Sequence, residues 1–124
     1  MATGDHLWSN RFGGTSSEYG HSVAIDSAGN VLVTGYFQGT ADFGGGGLTS
    51  AGDLDVFVAK YDASGKHLWS KRFGGTSGDY GLSVAIDSAG NVLVTGYFQG
   101  TVDFGGGGLT NAGSVDIFVA KFSP

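Results

Sequence analysis

The side chains best equipped for chemistry come in pairs. Trp8 and Trp69 each follow a histidine by two residues, His6 and His67. Strand alternation puts each histidine and tryptophan on one face, where the indole can serve as a stacking platform for sugars or other ring-bearing ligands. The structural alternative is a tryptophan that seals the outer edge of one sheet against its neighbour, and a place on an outer strand favours it. Neither histidine has a carboxylate or second imidazole at metal-ligand spacing. Glu18-Tyr19 and Asp79-Tyr80 adjoin the loops Gly13-Gly14-Thr15-Ser16 and Gly74-Gly75-Thr76-Ser77. Their carboxylates can face a common mouth and bind a cation or polar ligand there, or can cap backbone N–H groups of the adjoining loops. Asp53-Leu54-Asp55 offers two oxygens at alternate positions, but a calcium loop needs several, and Ser114 takes the place of Asp53 sixty-one residues on.

Catalysis fails on inventory. There is no Gly-x-Ser-x-Gly elbow, no cysteine and no two-histidine zinc pattern. Phe43-Gly44-Gly45-Gly46-Gly47-Leu48 is not a phosphate cradle, because no helix follows to present its N-terminus. A flexible or tightly turned connection fits that segment better. No enzyme activity, cofactor or metal is expected.

The elements that must position these residues follow from composition. The chain has 124 residues with 25 glycines, one proline and no cysteine. An interior glycine costs a helix about 1 kcal/mol, which excludes a helical bundle. A content of 40% hydrophobic and 13% aromatic residues argues against disorder. The net charge of −5 predicts no nucleic-acid partner. Apolar runs such as Val56-Phe57-Val58-Ala59 are too short to cross a bilayer as a helix. Met1-Ala2-Thr3-Gly4-Asp5 has no basic n-region followed by an apolar stretch, the pattern of a secretory signal. The compartment stays open.

Self-similarity explains the glycines. His6-Leu7-Trp8-Ser9 recurs as His67-Leu68-Trp69-Ser70, and residues 1–61 match 62–122 without a gap at 48 of 61 positions. Each copy reads as four short strands: Tyr19 to Asp26, Asn30 to Gln38, Asp55 to Asp62 and His67 to Phe73. The turns Asp26-Ser27-Ala28-Gly29-Asn30 and Asp62-Ala63-Ser64-Gly65-Lys66 place Asp first and Gly fourth, as in a type I turn closed by a glycine of positive φ. Val31-Leu32-Val33 and Val56-Phe57-Val58 are apolar on both faces, the mark of a sheet covered on both sides. Ala24, Gly35 and Ala59 are small enough to let neighbouring sheets approach. Twisted four-stranded antiparallel sheets stacked face to face around an axis make a β-propeller.

The runs Asp79-Tyr80-Gly81-x-Ser83-Val84-Ala85-Ile86-Asp87 through Tyr97-Phe98, Asp116-Ile117-Phe118-Val119-Ala120-Lys121, and Leu68-Trp69-Ser70-Lys71-Arg72-Phe73-Gly74-Gly75 resemble the bacterial β-propeller repeats called SBBP repeats. The resemblance covers nearly the whole chain twice. It implies an all-β fold of propeller blades, two per chain over 1–124, and it carries no catalytic residues. It leans towards bacterial surface or secreted proteins. The near-identity of the copies points to recent duplication, or to an engineered or excised piece.

Copy boundaries fall inside a blade. Residues 19–73 make one full blade, and residues 80–122 supply only three strands of the next. Residues 5–12 read as a fourth strand that completes another chain's blade. That exchange puts His6, Leu7, Trp8, Ser9, Arg11 and Phe12 against Ile117, Phe118, Val119 and Ala120. The expected partner is therefore the chain itself, in a closed cyclic homo-oligomer of six or eight blades, a trimer or tetramer. The expected role is a non-enzymatic, self-assembling scaffold or binding module. The alternative is a lectin-like binder of carbohydrate or another small ligand in repeated inter-blade pockets. Trp8, Trp69, Glu18, Asp79, Tyr19 and Tyr80 are the ligand candidates. His21/Leu82, Asp53/Ser114 and Asp5/Lys66 differ in character between copies and mark exposed or tolerant positions.

Overall fold

Turn chemistry sets the hairpins in the computed structural model, which describes residues 3–124; Met1 and Ala2 of the expected span 1–124 lie outside the described residues. The Asp26 carboxylate accepts the N–H groups of Ala28 and Asn30, each at 2.9 Å. Gly29 closes the turn at φ +84°, its N–H donating to the Asp26 carbonyl at 3.0 Å. Asp62 with Gly65 and Asp87 with Gly90 repeat the arrangement. No L-residue adopts that φ without strain, so glycine is required at these positions.

In the first copy the strands are β1 (Gly13–Gly14), β2 (Glu18–Ile25), β3 (Val31–Phe37), β4 (Thr40–Asp42), β5 (Gly47–Thr49) and β6 (Asp55–Tyr61). They are followed by β7 (His67–Phe73), β8 (Asp79–Ile86), β9 (Val92–Phe98), β10 (Thr101–Asp103), β11 (Gly108–Thr110) and β12 (Asp116–Phe122). One antiparallel sheet has the order β2-β3-β6-β7, and a second has β8-β9-β12 and stops at three strands. The fold class is all-β, built of antiparallel meanders.

Two features depart from the four-strand reading. The glycine-rich link is a small hairpin, β4 with β5, repeated as β10 with β11. The Asp42 carboxylate accepts the N–H groups of Gly44 and Gly46 at 2.7 and 3.2 Å, and Asp103 does the same for Gly105 and Gly107. Those glycines have φ above +100°. Phe43 anchors the hairpin by stacking on Phe57 at 4.3 Å, as Phe104 does on Phe118 at 4.4 Å. The second departure concerns residues 3–12, which form no strand with any described residue. A strand exists only through a ladder partner, and this segment has none within the chain. β1, immediately after it, pairs with β4.

Packing divides each sheet into two faces. Leu32, Thr34, Val56 and Val58 of the first sheet are wholly buried against Val84, Val92 and Val94 of the second. Burial of each such aliphatic side chain stabilises by roughly 1.5–3 kcal/mol. The two sheets approach tightly at Gly81 on β8. A Cβ there would lie 2.6 Å from Thr34 Oγ1, 2.9 Å from the Gly35 carbonyl and 2.9 Å from Val56 Cγ1. Gly35, expected to ease contact between sheets, instead makes room for the Tyr19 carbonyl of its own sheet beside the bulge at Gly20/Ser22. Gly81→Ala is expected to lower stability by about 1–3 kcal/mol through overpacking, read as a reduced midpoint in urea unfolding.

Candidate functional site

The site with the strongest physical definition is the face between two sheets. Sheet one meets sheet two through the apolar set above, and through polar contacts that span the gap. The Asp79 N–H donates to the Leu54 carbonyl at 2.6 Å, and the Val84 N–H reaches Ser22 Oγ at 3.3 Å. From the edge strand β7, Trp69 Nε1 donates to the Pro124 carbonyl at 3.0 Å, and Phe73 stacks on Phe122 at 4.9 Å.

The N-terminal segment repeats this pattern one copy earlier. Trp8 Nε1 donates to the Ala63 carbonyl at 3.0 Å, Asn10 Nδ2 to the Gly65 carbonyl at 3.0 Å, and Phe12 stacks on Tyr61 at 4.7 Å. Residues 8–12 therefore sit against the first sheet as β7 sits against the second. Both indole N–H groups are occupied by backbone oxygens, at the Ala63 turn and at the C-terminal Pro124. His6 Nε2 and His67 Nε2 each lie 3.0 Å from a serine hydroxyl, Ser9 and Ser70. Among the described residues, no group of three or more His, Cys, Asp or Glu is placed to hold a metal.

Several covered residues have a bare equivalent sixty-one positions away. Val56 is buried while Ile117 is 81% exposed, and Val58 is buried while Val119 is 68% exposed. On the opposite side Val84 is buried while Val23 is 63% exposed. Phe118 and Ala120 point the other way, into the covered face. The outer face of sheet two therefore repeats the surface of sheet one that is already covered. The outer face of sheet one repeats the surface of sheet two that covers it. Gly20, the equivalent of Gly81, would have nothing within 4 Å of an added Cβ.

The carboxylate candidates divide. Asp79 is wholly buried and accepts the Gly75 N–H at 3.0 Å, a loop-capping role. Glu18 lies against Gly13, with Oε2 buried and unpartnered. Tyr19 and Tyr80 join an aromatic ladder that sequence reasoning left out: Tyr19 to Tyr36 at 5.0 Å, Tyr36 to Tyr80 at 4.8 Å, and Tyr80 to Tyr97 at 4.6 Å. The exposed His21 also stacks on Tyr36. Asp53 accepts from Gln38 at 2.7 Å and Asp55 pairs with Arg72, so neither is a free calcium ligand. The Asp55–Arg72 pair was also missed; the signal available was that both copies carry the aspartate and the Arg-Phe-Gly-Gly run.

The SBBP β-propeller repeat profile matches residues 7–40 and 68–97, more than half of the chain. The chain belongs to this β-propeller repeat family. It is also 28% identical to a WD repeat-containing protein of Acanthamoeba polyphaga mimivirus, over 97% of this chain and 10% of that protein. Regulatory protein FlaEY of Caulobacter vibrioides is 29% identical over 98% of this chain and 13% of its own length. The chain thus spans about a tenth of the length of these curated relatives.

Burial pushes the Asp79 carboxyl up to about 6, with the Gly75 N–H opposing and the Asp55 charge adding to the rise. A folded-state value above the unfolded one means that the native state binds the proton more tightly, so Asp79 lowers stability as pH rises from about 4 to 6. Asp87 has the opposite sign. The Asn91 side-chain amide and then Lys121 pull it down to about 2, so its contribution is present above pH 4 and is lost as pH falls towards 2. Thermal scans are expected to show the parent chain losing melting temperature between pH 4 and 6, and Asp79→Asn, which keeps an acceptor for Gly75, is expected to reduce that loss.

Proposed function

We propose that this chain is a non-enzymatic β-propeller scaffold that closes by head-to-tail association with copies of itself. The observation that carries the reading is the complementarity of the two outer faces. The interface between the two blades is a working example of the contact that a second copy would make. The positions that form it are identical in both copies or differ conservatively, as Val56/Ile117 does. A heterologous contact of this kind leaves no bare face only when the ring closes. Rings of six or eight blades fall in the usual propeller range and make a trimer or tetramer.

Residues 5–12 are the exchanged fourth strand in this reading. In the first blade, His67 of the fourth strand lies against Gly44 and Gly45 of the hairpin. In the second blade the matching place is a hollow of about 220 Å³ lined by Phe104, Gly106, Gly107, Leu109, Ala120 and Phe122. His6 of an incoming strand fits there. The ladder of β6 with β7 pairs Ala59 with Ser70 and Phe57 with Arg72. By equivalence, Ser9 stands opposite Ala120 and Arg11 opposite Phe118. The occupied indole N–H groups of Trp8 and Trp69 support a sealing role for these rings.

Sedimentation velocity and native mass of the 124-residue chain are expected to show a trimer or tetramer; a folded monomer across the micromolar range would overturn the proposal. Gly20→Val is expected to leave the chain folded, because nothing lies within 4 Å of the new Cβ, yet to abolish assembly, because Gly81 shows that this position has no room once covered.

A further inference from the structure

The bare edge of the second blade carries a carboxylate whose counterpart in the first blade is paired. Asp55 Oδ2 accepts the Ala51 N–H at 2.7 Å and Arg72 Nη1 at 2.9 Å. The Asp55 side chain is wholly buried and the Arg72 side chain is two-thirds covered. Asp116 occupies the same place one repeat later. Its Oδ2 accepts the Ala112 N–H at 2.7 Å, and Oδ1 accepts the Gly113 N–H at 3.3 Å. The loop therefore presets this carboxylate as it presets Asp55, but no cation among the described residues reaches it.

The residue that should answer is sixty-one positions before Arg72. That residue is Arg11, exposed and in no ion pair among the described residues. Its neighbour Phe12 is already docked on Tyr61 as Phe73 is docked on Phe122. Asp116 ends one side of the chain's open surface and Arg11 lies on the other. Two copies in the blade-to-blade arrangement bring them together.

Resting on the ring reading above, we propose that Arg11 of one copy forms an intermolecular ion pair with Asp116 of the next, and that this pair helps to fix the register of the exchanged strand. The apolar contacts already oppose a slip at this edge, and the ion pair adds a directional restraint to them. Leu7, Trp8 and Phe12 are spaced along a segment with no ladder of its own, and a slip of one residue turns every side chain to the wrong face. A guanidinium directed at a carboxylate that backbone N–H groups already hold accepts one alignment. A slipped strand would place Asn10 or Phe12 at Asp116 and leave the carboxylate without a cation.

The test is the concentration dependence of assembly in the 124-residue chain, followed by sedimentation velocity with far-UV circular dichroism to report folding. Arg11→Glu and Asp116→Arg, made singly, are each expected to raise the concentration needed for half-assembly by about tenfold or more, with the folded-chain signal intact. The combination Arg11→Glu with Asp116→Arg in one chain reverses the pair at every interface and is expected to recover most of that loss. Single variants that assemble like the parent chain, or a double variant no better than the weaker single one, would overturn the ion pair while leaving the ring standing. A parent chain that stays monomeric at all concentrations would instead sink the ring, and this pair with it.

Discussion

A strand that is apolar on both faces has to be covered twice, and the organisation of this molecule follows from that requirement. β6 is the clearest case. Phe57, Ala59 and Tyr61 look towards the N-terminal segment and the hairpin, while Val56 and Val58 look towards the second blade, and all are buried. A single sheet cannot satisfy such a strand. A stack can, provided that each sheet finds a neighbour on both sides. β12 has nearly the same sequence and meets half of the requirement: Phe118 and Ala120 are covered, Ile117 and Val119 are not. The contrast between two almost identical strands isolates the effect of a neighbour from the effect of sequence.

Hairpin positions were readable because their chemistry is local. An aspartate that caps two N–H groups and a glycine of positive φ lie within five residues of each other, so the turns at Asp26, Asp62 and Asp87 can be found without tertiary information. Apolar runs on both faces identified the stacked architecture for a similar reason. The β4–β5 hairpin escaped detection because its strands are three residues long, too short for alternation to register, and its stability comes from Asp42, from the pairing of the Thr40 and Thr49 hydroxyls at 2.8 Å and from Phe43 on Phe57.

The polar part of the interface was less legible. Asp55 and Arg72 lie seventeen residues apart and pair across β6 and β7 of one sheet, and Asp79 comes near Asp55 only when the two sheets stack. An aspartate at the head of a strand reads from sequence as a turn residue, and nothing local distinguishes one that is wholly buried. The same holds for the tyrosine ladder, in which Tyr36 and Tyr80 are neighbours across blades. Residues 5–12 show the limit from the other side. Their sequence is that of β7, almost residue for residue, yet an identical sequence without a partner edge is an extended segment and no strand. Secondary structure here is a property of the pair.

Gly81 has a consequence for shape. It sits on β8, the strand at one edge of its blade, whereas β7 at the far edge of the neighbouring blade makes contact through the large rings of Trp69 and Phe73. Two sheets that touch backbone to side chain at one edge and ring to ring at the other cannot be parallel plates; they form a wedge. The missing side chain at Gly81 keeps the thin edge thin, and the aromatic rings keep the thick edge thick. Curvature is therefore written into the sizes of a few residues, and changing either edge would alter how sharply a row of such blades bends.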